Sequence, residues 1–398
     1  MTHGLRPLYA GAVAAVIVAL ITPHGAAASG DWTLIGAVCA DGDLSGLGPQ
    51  YAQKLMEAAR VGGWTLALQI DNGEQSPTRR LVRGGSDATV VEQPGAAAAN
   101  MGDATTIAEL LSWAAREAPA ERYALIVFGH GLSPTGISSE GGQVAEGAAV
   151  AVDAASGGDP LTPAELAAAI HDGLGRQVDI AVLDCCYGGS AELAWALREQ
   201  VQVMLAAPGR VPSSGLAWDE MLASGADAVD AAELSRRWLE GSGEWPLMAL
   251  RPSGLEQVAE AAMALSRATV LQMAETAPWL SAAQASAQNG EQAEEMCDLR
   301  EFSRVLAENC PGAVGAAAKD VVEALDRCMV AASGAYRNRI GPAIPVASAI
   351  GSRPDALALG GEFARSSGWD ELVRAYQDRM DHLMRRTTRE QSRGADAA

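Results

Sequence analysis

Short continuous apolar runs alternate along this chain with segments whose apolar residues recur every three or four positions. Runs of the first kind lie at 32–39, 64–70, 123–128, 178–183 and 202–206, each closed within a few residues by Gly, Asp, Asn or Pro. They predict strands, those at 123–128 and 178–183 of the fully buried kind. Segments of the second kind predict helices. At 50–59, Tyr51, Leu55, Ala58 and Ala59 share a side, and at 105–117 Ile107, Leu110, Leu111 and Ala114 do. Thr162, Pro163 and Glu165 form a helix start, with Thr162 capping, Pro163 in the first turn and Glu165 reaching back. A further helix is expected over 191–200. Strand and helix thus alternate, which predicts an α/β fold with a mostly parallel sheet and helices on both faces.

Two stretches depart from the alternation. Residues 74–100 are irregular, with room for a short hairpin, and 131–161 form a long Gly- and Ser-rich loop with one apolar piece at 148–152. Loops of that length are usually functional or processed. Beyond about residue 225 Ala-rich helical segments dominate, as at 255–275 and 314–332. The expected organisation is therefore a leader at 1–29, an α/β domain at 30–225, a helical C-terminal region at 226–384 and a polar, disordered tail at 385–398.

Composition narrows the function. With 398 residues and 48% hydrophobic content the chain can build a large core. Its net charge of −20 argues against nucleic acid or an anionic membrane surface as a partner. Arg6, an apolar run over 8–21 and the small residues Ala26, Ala27 and Ala28 read as a cleaved export signal, too short for a confident span, with a retained N-terminal anchor as the alternative. The expected location is secreted or periplasmic, with no stable membrane insertion after cleavage. Export would bring an oxidising compartment. Cys297, Cys310 and Cys328 share the C-terminal half, where one disulfide has room to form, and Cys39 reads as a buried strand thiol.

The chemistry concentrates at two strand ends. The strand at 123–128 runs into Gly129-His130-Gly131, and the strand at 178–183 runs into Asp184-Cys185-Cys186, followed by Gly188 and Gly189. Parallel neighbours would bring these ends to one sheet edge, where an imidazole could meet a thiol. A tight turn before a helix start would favour the thiolate. Blander readings stand beside this one. His130 alone could be a hydrogen-bonded strand-end histidine, the two cysteines could be small buried hydrophobes, and Asp184 could cap its turn. Adjacent cysteines with sparse histidine do not match zinc spacings. A His about 50 residues upstream of a Cys is, however, the separation found in caspases.

Taken together these segments resemble the clostripain family of cysteine peptidases, within the wider caspase-like group. The resemblance rests on Trp32-Thr33-Leu34, Ala40-Asp41-Gly42-Asp43-Leu44, Asn100-Met101-Gly102-Asp103, Arg122-Tyr123-Ala124-Leu125-Ile126, His130-Gly131, Leu183-Asp184-Cys185-Cys186, Cys297-Asp298-Leu299-Arg300-Glu301-Phe302 and Gly368-Trp369-Asp370. The stretch from Asp184 to Gly189 also resembles bacterial metacaspases, the runner-up. The resemblance implies a caspase-like three-layer sandwich and a peptidase acting on peptide or protein substrates. It implies Cys186 as nucleophile, His130 as acid and base, the N–H groups of Gly131 and Cys186 as oxyanion donors, and Asp184 in a pocket for substrate Arg or Lys.

Three departures from the family pattern stand out. Gly129 occupies a place where the family often has Asp. The sequence after 206 reads Ala207-Pro208-Gly209-Arg210 where the family tends to be acidic or polar, and a positive charge there would oppose a basic substrate side chain. Residues 131–175 hold no Lys or Arg, which excludes self-cleavage there after a basic residue. No cofactor is required by the sequence. Some relatives need calcium, but no calcium-loop spacing is visible here. The reading is an exported cysteine endopeptidase. The rivals are an exported non-catalytic binding module on the same fold and a protease of acidic specificity using the same two residues.

Overall fold

The computed structural model describes residues 30–73, 78–84, 90–94, 99–134, 136, 147–243, 245–288, 296–333, 341–345 and 361–395. The expected leader at 1–29 lies outside them. In chain order the first half runs β1 (Gly30–Cys39), α1 (Gly48–Val61), β2 (Thr65–Asp71), β3 (Thr78–Arg83), β4 (Val90–Pro94), α2 (Ala104–Glu117), β5 (Ala120–Phe128), β6 (Ala151–Asp153), β7 (Asp159–Leu161), α3 (Pro163–Leu174), β8 (Val178–Asp184), α4 (Ala191–Ala196) and β9 (Val201–Ala206). The second half adds α5 (Trp218–Met221), α6 (Ala231–Gly241), β10 (Met248–Leu250), α7 (Leu255–Leu271), α8 (Met273–Ala287), β11 (Met296–Asp298), α9 (Leu299–Asn309), α10 (Gly312–Cys328), β12 (Met329–Ala332), β13 (Ala343–Pro345), α11 (Glu362–Ser366) and α12 (Trp369–Ala395).

One nine-stranded sheet carries the fold, in the order β12-β10-β9-β8-β5-β1-β2-β3-β4. Its centre is parallel, from β2 through β1, β5 and β8 to β9. Both edges are antiparallel. β1 shows why the sheet is buried on both faces. Ile35, Ala37 and Cys39 enter one core with α2, α3 and α7, while Trp32, Leu34 and Val38 enter the other with α1 and α6. That is the two-residue alternation of a strand covered twice. From β1 the chain steps to β2 on one side, and later from β5 through β8 to β9 on the other. The reversal falls between β1 and β5, and open α/β sheets bind ligands at such a point, beyond the strand C-termini.

Local chemistry explains the element starts. Thr162 and Glu165 form a complete capping box on α3, which ends at Gly175 with φ of 64°. Asp103 caps α2 through Thr105 N at 2.7 Å. The stretch Asn100 to Asp103 is fixed from the loop opposite, because Asp153 in β6 accepts from Met101 N at 2.7 Å. A Cβ on Gly102 would meet the Asp159 carbonyl oxygen at 2.4 Å. The long loop at 131–161 therefore contains the hairpin β6–β7, which holds the turn before α2.

The second half differs from its helical expectation. β10 and β12 extend the central sheet beyond β9, so this region builds sheet as well as helices. The helix expected over 314–332 ends at Cys328, and its last four residues form β12. The stretch 255–275 is divided at Gln272 between α7 and α8. The tail expected to be disordered from 385 continues α12 to Ala395, where Arg, Glu and Gln are strong helix formers. All six cysteines are free, so no disulfide joins Cys297, Cys310 and Cys328; each is buried, in a core where a thiol packs as a small hydrophobe. Among the described residues no helix is long and apolar enough to cross a membrane.

Candidate active site

The parallel strands end together, and beyond their C-termini lies a cavity of ≈ 280 Å³. Its walls come from four connections. Leu44 follows β1, Gly129 and His130 follow β5, Asp184 and Cys186 belong to the end of β8, and Arg210, Val211, Pro212 and Ser213 follow β9. Strand register brings His130 and Cys186 here. Phe128 pairs with Asp184 across β5 and β8. Each chain then runs two residues further, one to His130 and the other to Cys186.

The two connections touch through bare backbone. A Cβ on Gly131 would stand 1.9 Å from the carbonyl oxygen of Cys186 and 3.0 Å from its nitrogen. Only glycine fits, so the Gly after His130 is a packing requirement of the site. Gly129 is similarly confined, with a Cβ there meeting Ala151 Cβ at 3.0 Å and the Cys39 carbonyl oxygen at 3.1 Å. This crowding accounts for glycine where the clostripain pattern often has Asp.

The turn after β8 is held rigidly. Tyr187 adopts φ of 59°, the left-handed region. For a non-glycine residue that costs about 1–2 kcal/mol. It is offset by the hydrogen bonds from Tyr187 N to Gly209 O and from Gly189 N to Ala207 O, both 2.7 Å. The Tyr187 side chain is fully buried with Met296 and Ala343, and Cys186 packs on that cluster. The adjacent thiols thereby separate. Cys185 is buried, and desolvation first, then the nearby Cys186 and Asp184, push its pKa well up. Cys186 is partly exposed on the cavity wall, its Sγ 3.9 Å from the Val211 carbonyl oxygen. The expected help from a following helix is not found. α4 starts at Ala191 and spans six residues, and Ser190 caps its Leu193 N–H, so the thiol does not sit on a helix N-terminus.

His130 is a quarter exposed and its Nε2 lies 2.7 Å from Oδ1 of Asp43, in the turn after β1. Asp184 is the floor of the cavity and 1% exposed. Its Oδ2 accepts from the Tyr51 hydroxyl at 2.9 Å, Leu216 N at 3.0 Å and Trp218 Nε1 at 2.9 Å. Among the described residues its Oδ1 has no hydrogen-bond donor. Burial raises the carboxyl pKa, against the lowering by Leu216 N, Trp218, Tyr51 and the Lys54 charge. Arg210, at the rim, is exposed. Among the described residues no group of three or more His, Cys, Asp and Glu could hold a metal ion.

The four residues singled out from the sequence, His130, Gly131, Asp184 and Cys186, thus meet at one place. Reading the sequence did not reveal Asp43, Tyr51 or Trp218. Asp43 belongs to the Ala40–Leu44 segment, whose family pattern is the one signal for it, and its partner is 87 residues away. Tyr51 lies on the apolar side of α1, where its ring stacks on Phe128 at 3.8 Å between centroids.

The sequence profile of the clostripain family, peptidase C11, matches residues 53–339. The chain belongs to the clostripain family. It is a cysteine endopeptidase, hydrolysing peptide bonds in peptide or protein substrates. Solved clostripain-family structures share its fold. A secreted C11 cysteine protease from Bacteroides thetaiotaomicron, in complex with an irreversible peptide inhibitor, is 16% identical; the match covers 86% of this chain and 100% of that one, with a TM-score of 0.63. An inactive zymogen C11 protease from Parabacteroides distasonis is also 16% identical, over 85% of this chain and 98% of that one, with a TM-score of 0.59. A comparison with curated proteins yields no match. The caspase-like α/β sandwich expected from the resemblance is therefore the fold of this clostripain-family chain.

Proposed function

We propose that Cys186 is the nucleophile of this clostripain-family peptidase and His130 its general acid and base. The observation that carries the reading is the register-matched exit of β5 and β8 into one cavity, with Gly131 lying directly on the Cys186 backbone. The Cys186 proton passes to His130, and the thiolate attacks the scissile carbonyl carbon. The imidazolium then protonates the leaving amine, and water, deprotonated by His130, hydrolyses the thioester. The N–H groups of Gly131 and Cys186 receive the oxyanion. One donor of this kind is worth about 3–4 kcal/mol in other hydrolases.

The same cavity suggests the side chain taken at P1, the residue before the scissile bond. Asp184 Oδ1 is buried on the floor without a donor among the described residues, an arrangement that costs about 1–3 kcal/mol unless something fills it. A substrate ammonium or guanidinium supplies the missing donor and charge, so cleavage follows Arg or Lys. Arg210 at the rim opposes such a side chain and weakens the preference. The segment 1–29 acts as an export signal, and the secreted Bacteroides thetaiotaomicron protease of the same fold supports a secreted or periplasmic location.

The test is hydrolysis of a fluorogenic peptide panel with Arg, Lys, Asp or Ala at P1. Wild type cleaves after Arg and Lys, Cys186→Ala and His130→Ala abolish turnover, and Arg210→Ala raises cleavage after Arg by about 2–5-fold, the effect of one exposed charge. Turnover retained by Cys186→Ala would overturn the assignment of the nucleophile. Preferred cleavage after Asp would overturn the role given to Asp184.

A further inference from the structure

We infer that Asp43 is a positioning residue for His130, a third side chain of the reaction centre; the inference rests on the Cys186–His130 reading above. Asp43 reaches the imidazole from the turn after β1. It lies in the one-turn 3₁₀ segment Gly42–Leu44 directly after β1, at the point where the sheet order reverses. Its Oδ1 is 2.7 Å from His130 Nε2, the separation of a charge-assisted hydrogen bond.

The turn that presents Asp43 is itself fixed. Gly42 has φ of 63°, Leu44 N and Ser45 N donate to Asp41 O and Gly42 O, and the buried Asp41 carboxylate accepts from Ala155 N at 2.5 Å. Leu44, the next residue, lines the cavity. A carboxylate held this way decides which ring nitrogen does which task. With Nε2–H donated to Asp43, Nδ1 is the nitrogen left to exchange the Cys186 proton. The charge matters as well. Arg210 lies on the β9 side of the cavity, Asp43 on the β1 side and the buried Asp184 at the end of β8. Asp43 takes up no proton in this scheme. It orients the ring and stabilises the imidazolium that accompanies the thiolate.

The experiment compares wild type, Asp43→Ala, Asp43→Asn, His130→Ala and Cys186→Ala. The readouts are kcat and KM between pH 5 and 9 on a fluorogenic peptide that wild type cleaves, together with iodoacetamide alkylation of Cys186 followed by peptide mass mapping. Asp43→Ala should lower kcat about 10–100-fold, with KM within about twofold, as the ring loses its orientation. Asp43→Asn keeps an acceptor oxygen for Nε2–H without the charge; it should recover part of kcat. An Asp43→Ala variant that keeps the wild-type kcat, or an Asp43→Asn variant no more active than Asp43→Ala, would reduce Asp43 to loop structure and overturn the inference. If instead His130→Ala and Cys186→Ala retain turnover, the underlying reading fails, an outcome distinct from the first.

Discussion

The Tyr51 hydroxyl donates to Asp184 Oδ2 at 2.9 Å, joining the inner face of α1 to the end of β8. Trp218 Nε1 donates to the same hydroxyl at 2.8 Å and also lies 2.9 Å from the carboxylate. The floor of the cavity is therefore a small buried network, in which each donor favours the charged form of a desolvated carboxylate. Tyr51→Phe removes one donor while keeping the ring that stacks on Phe128. It should destabilise the protein by about 1–3 kcal/mol, because Asp184 and Trp218 each lose a partner in the interior. With a charge-stabilising hydrogen bond gone, the Asp184 carboxyl pKa should rise further. KM for a P1 Arg peptide should rise more at pH 6 than at pH 8. Thermal melting and KM measured at both values check this, and a KM shift equal at both would count against Asp184 as the P1 acceptor.

Gly131 predicts a sharper failure. Alanine there must displace the Cys186 carbonyl, which its Cβ would approach to 1.9 Å. Neither group is the flexible end of a side chain, so the β5 and β8 connections must separate. A misplacement of about 1 Å between reacting groups costs about 100-fold. Gly131→Ala should thus lose at least that factor in kcat while remaining folded by circular dichroism. Gly63→Ala, at an open position with φ of 78°, is the control for simple backbone strain and should leave kcat unchanged.

The sequence disclosed the parts of this molecule whose signal is local. Strands at 178–183 and 123–128 are legible as apolar runs, the α3 start as a capping box, and the His130 and Cys186 exits as breaks in those runs. What the sequence left hidden is non-local. β10 and β12 are short strands inside an Ala-rich helical region, formed because β9 leaves an open edge for antiparallel pairing. Asp43 and Tyr51 become part of the site only when the sheet order places β1 beside β5 and α1 over the end of β8. The difference between Cys185 and Cys186 follows from the turn after β8, which buries one thiol and leaves its neighbour on the cavity wall. The dipole reading failed for a simple reason: four residues, 187–190, intervene before α4.

Asp298 predicts how stability changes with pH. It caps α9 through Glu301 N at 2.8 Å and accepts from Gly341 N. It is fully buried, and desolvation pushes its pKa up to about 7, well above the ordinary carboxyl value of 3.8. Below about pH 4 the folded and unfolded chains are both protonated here, and the stabilisation is fully present. As pH rises the unfolded chain releases its proton first, so the native state binds more protons and stability falls through about pH 7. Asp298→Asn keeps an acceptor oxygen for Glu301 N but cannot titrate. The wild type minus Asp298→Asn stability difference should therefore be largest near pH 4 and decline to a floor above pH 7, over a span on the order of 2–4 kcal/mol. Asp41, with its pKa raised to about 6 chiefly by burial, titrates in the same window and cancels in the difference. Urea unfolding of both proteins at half-unit steps from pH 4.5 to 8 makes the comparison, and a difference independent of pH would show that Asp298 is ionised throughout that range.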